Sequence, residues 1–303
     1  MALSDNILGL FLIMLSLACT PPAERQVPDQ PVSAAFPYTI SSPARVMSLA
    51  PELTEISGIT WLKEQTLAAV QDELGTVFVL SAATGEIQGR YSVGGPGDYE
   101  DIAALSEHRV LVLRSDGALL EAELRDPSQP AREYPSAFPG KYDMEGLHWD
   151  AATKTLLIAC KDDPVAPADQ RRVYSLADYT SAQVPAYQYV SLTEIQHMLQ
   201  DSARTPKEQE RASKFFDDPE DAFQPSGIAR HPISGDLYLI AARGSLLVVV
   251  SPDYRLLAVR HLAGKTFPQP EGICFDPKGN LYISSEGKDG PGLLLFFPYT
   301  PPQ

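Results

Sequence analysis

Between Pro268 and Gly287 the chain reads PQPEGICFDPKGNLYISSEG, with Glu271 and Glu286 at the two ends of an apolar run, a polar turn and a second apolar run. Two antiparallel strands joined by a short turn bring the chain back to its starting level, so both carboxylates belong at one end of one hairpin. Converging carboxylates support two chemistries. Where their surroundings raise a pKa they transfer protons, and where several oxygens meet they hold a hard cation such as Ca²⁺.

The elements that would carry these residues recur along the chain. TEISGITW (Thr54 to Trp61), DYEDIAAL (Asp98 to Leu105), YDMEGLHWD (Tyr142 to Asp150), QPSGIARHP (Gln224 to Pro232) and QPEGICFDP (Gln269 to Pro277) share one pattern, in which a Ser or Glu precedes Gly or Asp and then an aliphatic residue. The Gly or Asp falls at Gly58, Asp101, Gly146, Gly227 and Gly272, with gaps of 43, 45, 81 and 45 residues. A turn and a second strand-like run follow each head: TLAAVQD, RVLVLRSD, TLLIACKD, DLYLIAAR and NLYISSEG. About four short antiparallel strands per 40 to 50 residues is the signature of a β-propeller blade. The fold expected is therefore all-β, a propeller of five four-stranded blades, with a degenerate sixth blade as the alternative. The 81-residue gap is read as a helical insertion near residues 191–216, where Ser191 and Glu194 form a capping box and Thr205, Pro206 and Glu208 mark a second helix start. The last blade runs out of chain after GPGLLLFFPY, and residues 38–49 are expected to supply its missing outer strand, so that residues 38–303 form one domain closed by its N- and C-terminal strands.

In a propeller the first strand of each blade lines the central channel. One repeat position thus becomes a ring, here Ser57, Glu100, Glu145, Ser226 and Glu271. Fifteen residues on, at the exit of each second strand, stand Asp72, Ser115, Cys160, Ala241 and Glu286. Glu100, Glu145, Glu271, Glu286 and Asp72 are accordingly the candidate metal ligands at one mouth, with calcium the expected ion; zinc is disfavoured because no His or Cys holds a head position. The alternative is structural: the head Glu side chains bond neighbouring backbone N–H groups, with Lys161, Arg114 and Arg243 as counter-charges. If the site were catalytic, the base would be His148 or Glu286. The helices around His197 are either a lid over the mouth or a surface ornament.

Composition narrows the partners. A formal charge of −15 and a pI near 4.7, with no basic cluster, exclude nucleic acid, whose binders present a cationic face. The start, ILGLFLIMLSLACT followed by Pro21 and Pro22, reads as a signal peptide over residues 1–18. Leu15 to Cys19 resembles a bacterial lipobox, which makes Cys19 the lipidated N-terminus of a Pro-rich tether over residues 19–37. The expectation is a monomer anchored in the bacterial cell envelope, at the outer membrane or on the periplasmic side, meeting a small molecule or another envelope protein. Cys160 and Cys274 lie in apolar runs and are expected as buried free thiols. The sequence contains no G-x-S-x-G elbow, no H-E-x-x-H, no phosphate-binding glycine loop and no C-x-x-C.

The Glu-Gly-aliphatic heads, the GNLYISSE run and the lipoprotein-like start together resemble the SdiA-regulated (YjiK-like) β-propeller family, and more distantly the NHL-repeat and phytase-like propellers. The resemblance covers about residues 45 to 300; its best matches are Glu145-Gly146 and Glu271-Gly272, and its weakest is Asp98 to Leu105, where Asp101 replaces Gly. It implies a calcium-associated propeller of the bacterial envelope and carries no established activity. Related propellers that hydrolyse lactones or esters with a metal supply the alternative function.

Overall fold

The computed structural model describes residues 36–138, 140–181, 185–217 and 222–302. The signal peptide, Cys19 and the tether to residue 35 lie outside the described residues.

The described chain forms five four-stranded antiparallel sheets. β1 (Arg45–Ser48) comes first in sequence but belongs to the last blade. Blade one is β2 (Ile56–Lys63), β3 (Thr66–Gln71), β4 (Thr76–Ser81) and β5 (Ile87–Ser92); blade two is β6 (Tyr99–Ala104), β7 (Arg109–Arg114), β8 (Leu119–Glu123) and β9 (Arg132–Tyr134). Blade three is β10 (Asp143–Asp150), β11 (Thr155–Asp162), β12 (Gln170–Leu176) and β13 (Ala186–Ser191); blade four is β14 (Gly227–Arg230), β15 (Leu237–Ala241), β16 (Leu246–Val250) and β17 (Leu256–His261). Blade five consists of β18 (Gln269–Phe275), β19 (Leu281–Glu286) and β20 (Leu293–Phe297), with β1 as its fourth strand, paired antiparallel to β20 from Arg45 opposite Phe296 to Ser48 opposite Leu293. The Tyr38 hydroxyl donates to the Gly279 carbonyl at 2.6 Å, which fastens the segment ahead of β1 to the β18–β19 turn.

The first strands close the ring. β2 packs on β6, β6 on β10, β10 on β14, β14 on β18 and β18 back on β2. Glycine is required where these strands meet. A Cβ on Gly58 would lie 2.2 Å from Asp101 Oδ1 and 2.4 Å from Asp101 Cα, and one on Gly272 would lie 2.6 Å from the Ser57 carbonyl oxygen. Asp101 occupies the same layer without being glycine, and it serves as a strut: its carboxylate accepts from Ile102 N–H at 2.8 Å and from Leu147 N–H of blade three at 2.6 Å. Outside this axis the core consists of apolar clusters packed between adjacent blades.

The long gap holds α1 (Leu192–Ser202) and α2 (Pro206–Ser213). Ser191 caps α1 by accepting from Glu194 N–H, and the reciprocal capping box is at α2, between Thr205 and Glu208. Leu192 and Ile195 are buried with Val190, Leu239 and Val248, so the insertion seals the seam between blades three and four, and His197 is exposed on its outer side. Among the described residues no helix is long and apolar enough to cross a membrane.

Candidate functional site

Four of the five first strands break register at the head. The pairing slips between Ile56 and Ile59, Tyr99 and Asp101, Met144 and Gly146, and Pro270 and Ile273. A bulge inserts one unpaired residue and re-aims the strand locally. Ser57, Glu100, Glu145 and Glu271 occupy these bulges. In blade four Ser226 spends its hydroxyl on the Pro270 carbonyl of blade five at 3.0 Å.

Glu100, Asp143 and Glu145 form the tightest group among the described residues, with one oxygen from each lying within 4.8 Å of the others. Lys161 enters the group from β11, its ammonium bonded to Glu145 and 3.4 Å from Asp143 Oδ2. Glu145 is nearly sealed, its side chain only 6% exposed. Glu271, Glu286 and Asp72 stand at the same mouth outside that tight group, and they belong to it electrostatically. Burial is the first cause of the raised pKa of all five predicted carboxylates, and neighbouring acids add to it. Asp72 is pushed up to about 6 with help from Glu55, Glu73 and Asp98; Glu286 to about 7 with help from Asp72 and Glu55; Glu271 to about 8 with help from Glu145 and Glu286. Glu100 rises further under Glu145 and Asp98, which completes a circuit of mutual repulsion around the mouth. Lys161 opposes it at Glu100, Glu145, Glu271 and Glu286.

The other expected counter-charges are placed differently. Arg114 turns to Asp116 at 2.9 Å and Glu133 at 3.2 Å, both in its own blade, and Arg243 lies in the turn after β15. Cys160 and Cys274 are buried free thiols, and Cys160 donates to the backbone carbonyls of Asp143 and Asp162. His148 and Glu286 do not meet. Ile59, Ile102, Leu147, Ile228 and Ile273, one from each first strand and each at most 2% exposed, form an aliphatic layer around the axis, each packed into its own inter-blade cluster, and His148 lies beyond it at the opposite mouth.

The head position alone misses Asp143, the third member of the tight group. The signal is present two residues upstream of every head, where Glu55, Asp98, Asp143, Gln224 and Gln269 are all polar. These residues immediately precede the bulged heads, and Glu55, Asp98 and Asp143 each add to the raised pKa of a carboxylate at the mouth.

An all-oxygen donor set at this spacing fits calcium, whose ligands sit about 2.3–2.6 Å from the ion, provided the Lys161 ammonium withdraws from Glu145. Glu100, pushed up to about 10, keeps its proton at neutral pH, so a cation bound there would displace that proton.

A sequence model of the SdiA-regulated family matches residues 45–297, the whole propeller from β1 to β20. The chain belongs to the SdiA-regulated family. No curated protein matches its sequence. Solved structures resemble this SdiA-regulated propeller in fold. One is the glutaminyl cyclase of Myxococcus xanthus, at 13% identity and TM-score 0.53 over 86% of this chain and 96% of that one. Another is the PQQ-bound aldose sugar dehydrogenase of Streptomyces coelicolor, also at 13% identity and TM-score 0.53, over 84% and 97%. The chain spans 65% of a Bacteroides caccae protein of unknown function, over 73% of its own length, at 16% identity and TM-score 0.42.

Proposed function

We propose that this SdiA-regulated propeller is a lipid-anchored protein of the bacterial cell envelope that binds a divalent cation, calcium, at its acidic channel mouth and presents that mouth to a ligand or partner. The observation that carries the reading is the convergence of five mutually repelling carboxylates, Glu145 buried and the others partly so, joined by Asp143, with Lys161 as the counter-ion of the four glutamates. A bound dication would offset the repulsion that burial amplifies, and the donors are oxygens only. Glu100, Asp143 and Glu145 would hold it, while Glu271, Glu286 and Asp72 would draw cations toward it. The alternative of a metal-dependent lactone or ester hydrolase needs a base on this face; Glu286 is the group placed there, and His148 is beyond the aliphatic layer.

The test is elemental analysis of the purified chain together with thermal melts in Ca²⁺ and in chelator, for the wild type and a Glu100/Glu145/Glu271→Gln variant. Mass action predicts about 2.7 kcal/mol of added stability at a hundredfold excess over the dissociation constant. A shift present in the wild type and lost in the variant supports the reading; no shift in the wild type removes it. For the anchor, Cys19→Ser should release the protein from the membrane fraction, and retention there would remove the lipid attachment.

A further inference from the structure

Past the aliphatic layer the channel reopens, at the far end of the first strands, into a cavity of about 300 Å³ to which all five blades contribute. It differs chemically from the acidic mouth. Trp61 of blade one and Trp149 of blade three form aromatic walls, and the five aliphatic side chains of the layer form the floor. Arg230 brings a cation to the lining, but its guanidinium is paired with Asp150 at 3.1 Å and donates to the Gly235 carbonyl at 2.7 Å. Thr60 Oγ1 accepts from Ala104 N–H at 3.2 Å, which leaves its hydroxyl hydrogen to donate. His148 lines the cavity and has no hydrogen-bond partner for either ring nitrogen among the described residues. Burial first, then Arg230, holds its pKa down at about 4 against the opposing pull of Asp150, so at neutral pH the imidazole offers one donor and one acceptor.

We propose that this cavity is a second binding site, for a small uncharged ring compound that lies between Trp61 and Trp149 and sets one polar edge against His148 and Thr60. Its volume suits roughly ten non-hydrogen atoms, at the small end of ligand pockets. Charged ligands are disfavoured because both charges in the lining are already satisfied, Arg230 by Asp150 and Asp276 by the N–H groups of Lys278 and Asn280, and an unpaired charge over an aliphatic floor is costly.

The chain holds two tryptophans, Trp61 and Trp149, and both line this cavity, so intrinsic fluorescence reports on it. The experiment titrates the full chain with benzamide, benzoate and benzylamine, which share one ring and differ in charge, and follows fluorescence and saturation-transfer NMR. Benzamide is expected to bind saturably with a Kd of about 10 mM or tighter, as a ligand of this size allows. Benzoate and benzylamine are expected to bind at least about tenfold more weakly, equivalent to about 1.4 kcal/mol. Ala104→Phe, which fills the cavity from blade two, should abolish binding, and His148→Phe, which keeps the ring and removes both nitrogens, should weaken it several-fold without altering the Ca²⁺-dependent shift of the melt. The proposal is overturned if benzamide gives no saturable signal, if a charged ring binds more tightly, or if affinity survives in both variants.

Discussion

Glu271→Gln should stabilise the chain in alkali and leave it unchanged in acid. Burial, reinforced by the Glu145 and Glu286 carboxylates, raises the Glu271 pKa from 4.5 to about 8. In the unfolded chain the group ionises near its ordinary value, while in the folded chain it keeps its proton until about pH 8. Between those two values the folded state binds more protons, so stability falls as pH rises through that window; below it both states are protonated and nothing is lost. At about 1.4 kcal/mol per pH unit the full penalty above pH 8 is about 5 kcal/mol, and relaxation around a partly exposed side chain reduces it to about 2 to 3 kcal/mol. Glutamine keeps the shape and cannot ionise. In urea unfolding with chelator present, the variant and the wild type should coincide at pH 4 and separate by about 2 to 3 kcal/mol at pH 9, a midpoint difference of about 1 M for a chain of this size. A difference independent of pH, or a wild type more stable than the variant at pH 9, would refute the electrostatic reasoning.

Lys161→Met removes the ammonium that shares Glu145 and Asp143, so it should lower the melting temperature in chelator and raise calcium affinity at least about tenfold by calorimetry; an unchanged affinity would mean that lysine and calcium do not compete. Gly58→Ala forces a methyl group to 2.4 Å from a backbone atom of the next blade and should cost about 3 kcal/mol or more in a thermal melt, with a loss below 1 kcal/mol counting against close packing at the axis. Asp101→Ala leaves two buried N–H groups without their acceptor and should cost about 2 to 4 kcal/mol, whereas Asp101→Asn, which keeps one acceptor, should recover part of it. Deleting residues 36–48 removes β1 and exposes the edge of β20, so the product should aggregate or melt without cooperativity; a sharp melt at the original temperature would show that blade five does not need its fourth strand.

Much of the ring was legible because its packing demands repeat. Every blade must bring a first strand to the axis, and that need is written as Gly or Asp followed by an aliphatic residue at Gly58, Asp101, Gly146, Gly227 and Gly272. The 81-residue gap resolved into helices for a local reason, since the Ser191 and Thr205 caps are readable without tertiary context. The site was less legible because its heads sit on bulges. Counting in twos fails across an inserted residue, so the sequence could not say that His148, three residues beyond Glu145, lies past the aliphatic layer. Nor could spacing show that Arg114 is held by Asp116 and Glu133 while Lys161 turns inward, because long side chains choose among partners that only the assembled blades bring near.

The aliphatic layer links the two ends of the channel. Five side chains, each at most 2% exposed, stand between the heads and the far mouth along the first strands. On one side they are the apolar floor under Glu145 and Glu271, and burial is the first cause of the raised pKa of both. On the other side they are the floor of a cavity whose walls are tryptophan and whose histidine stays neutral. The two proposals therefore ask opposite things of the two ends, cations at the head carboxylates and an uncharged ring beside His148. Because the demands are opposite in kind, changes at the head position can tune the first without touching the second, whereas a polar substitution in the layer perturbs both.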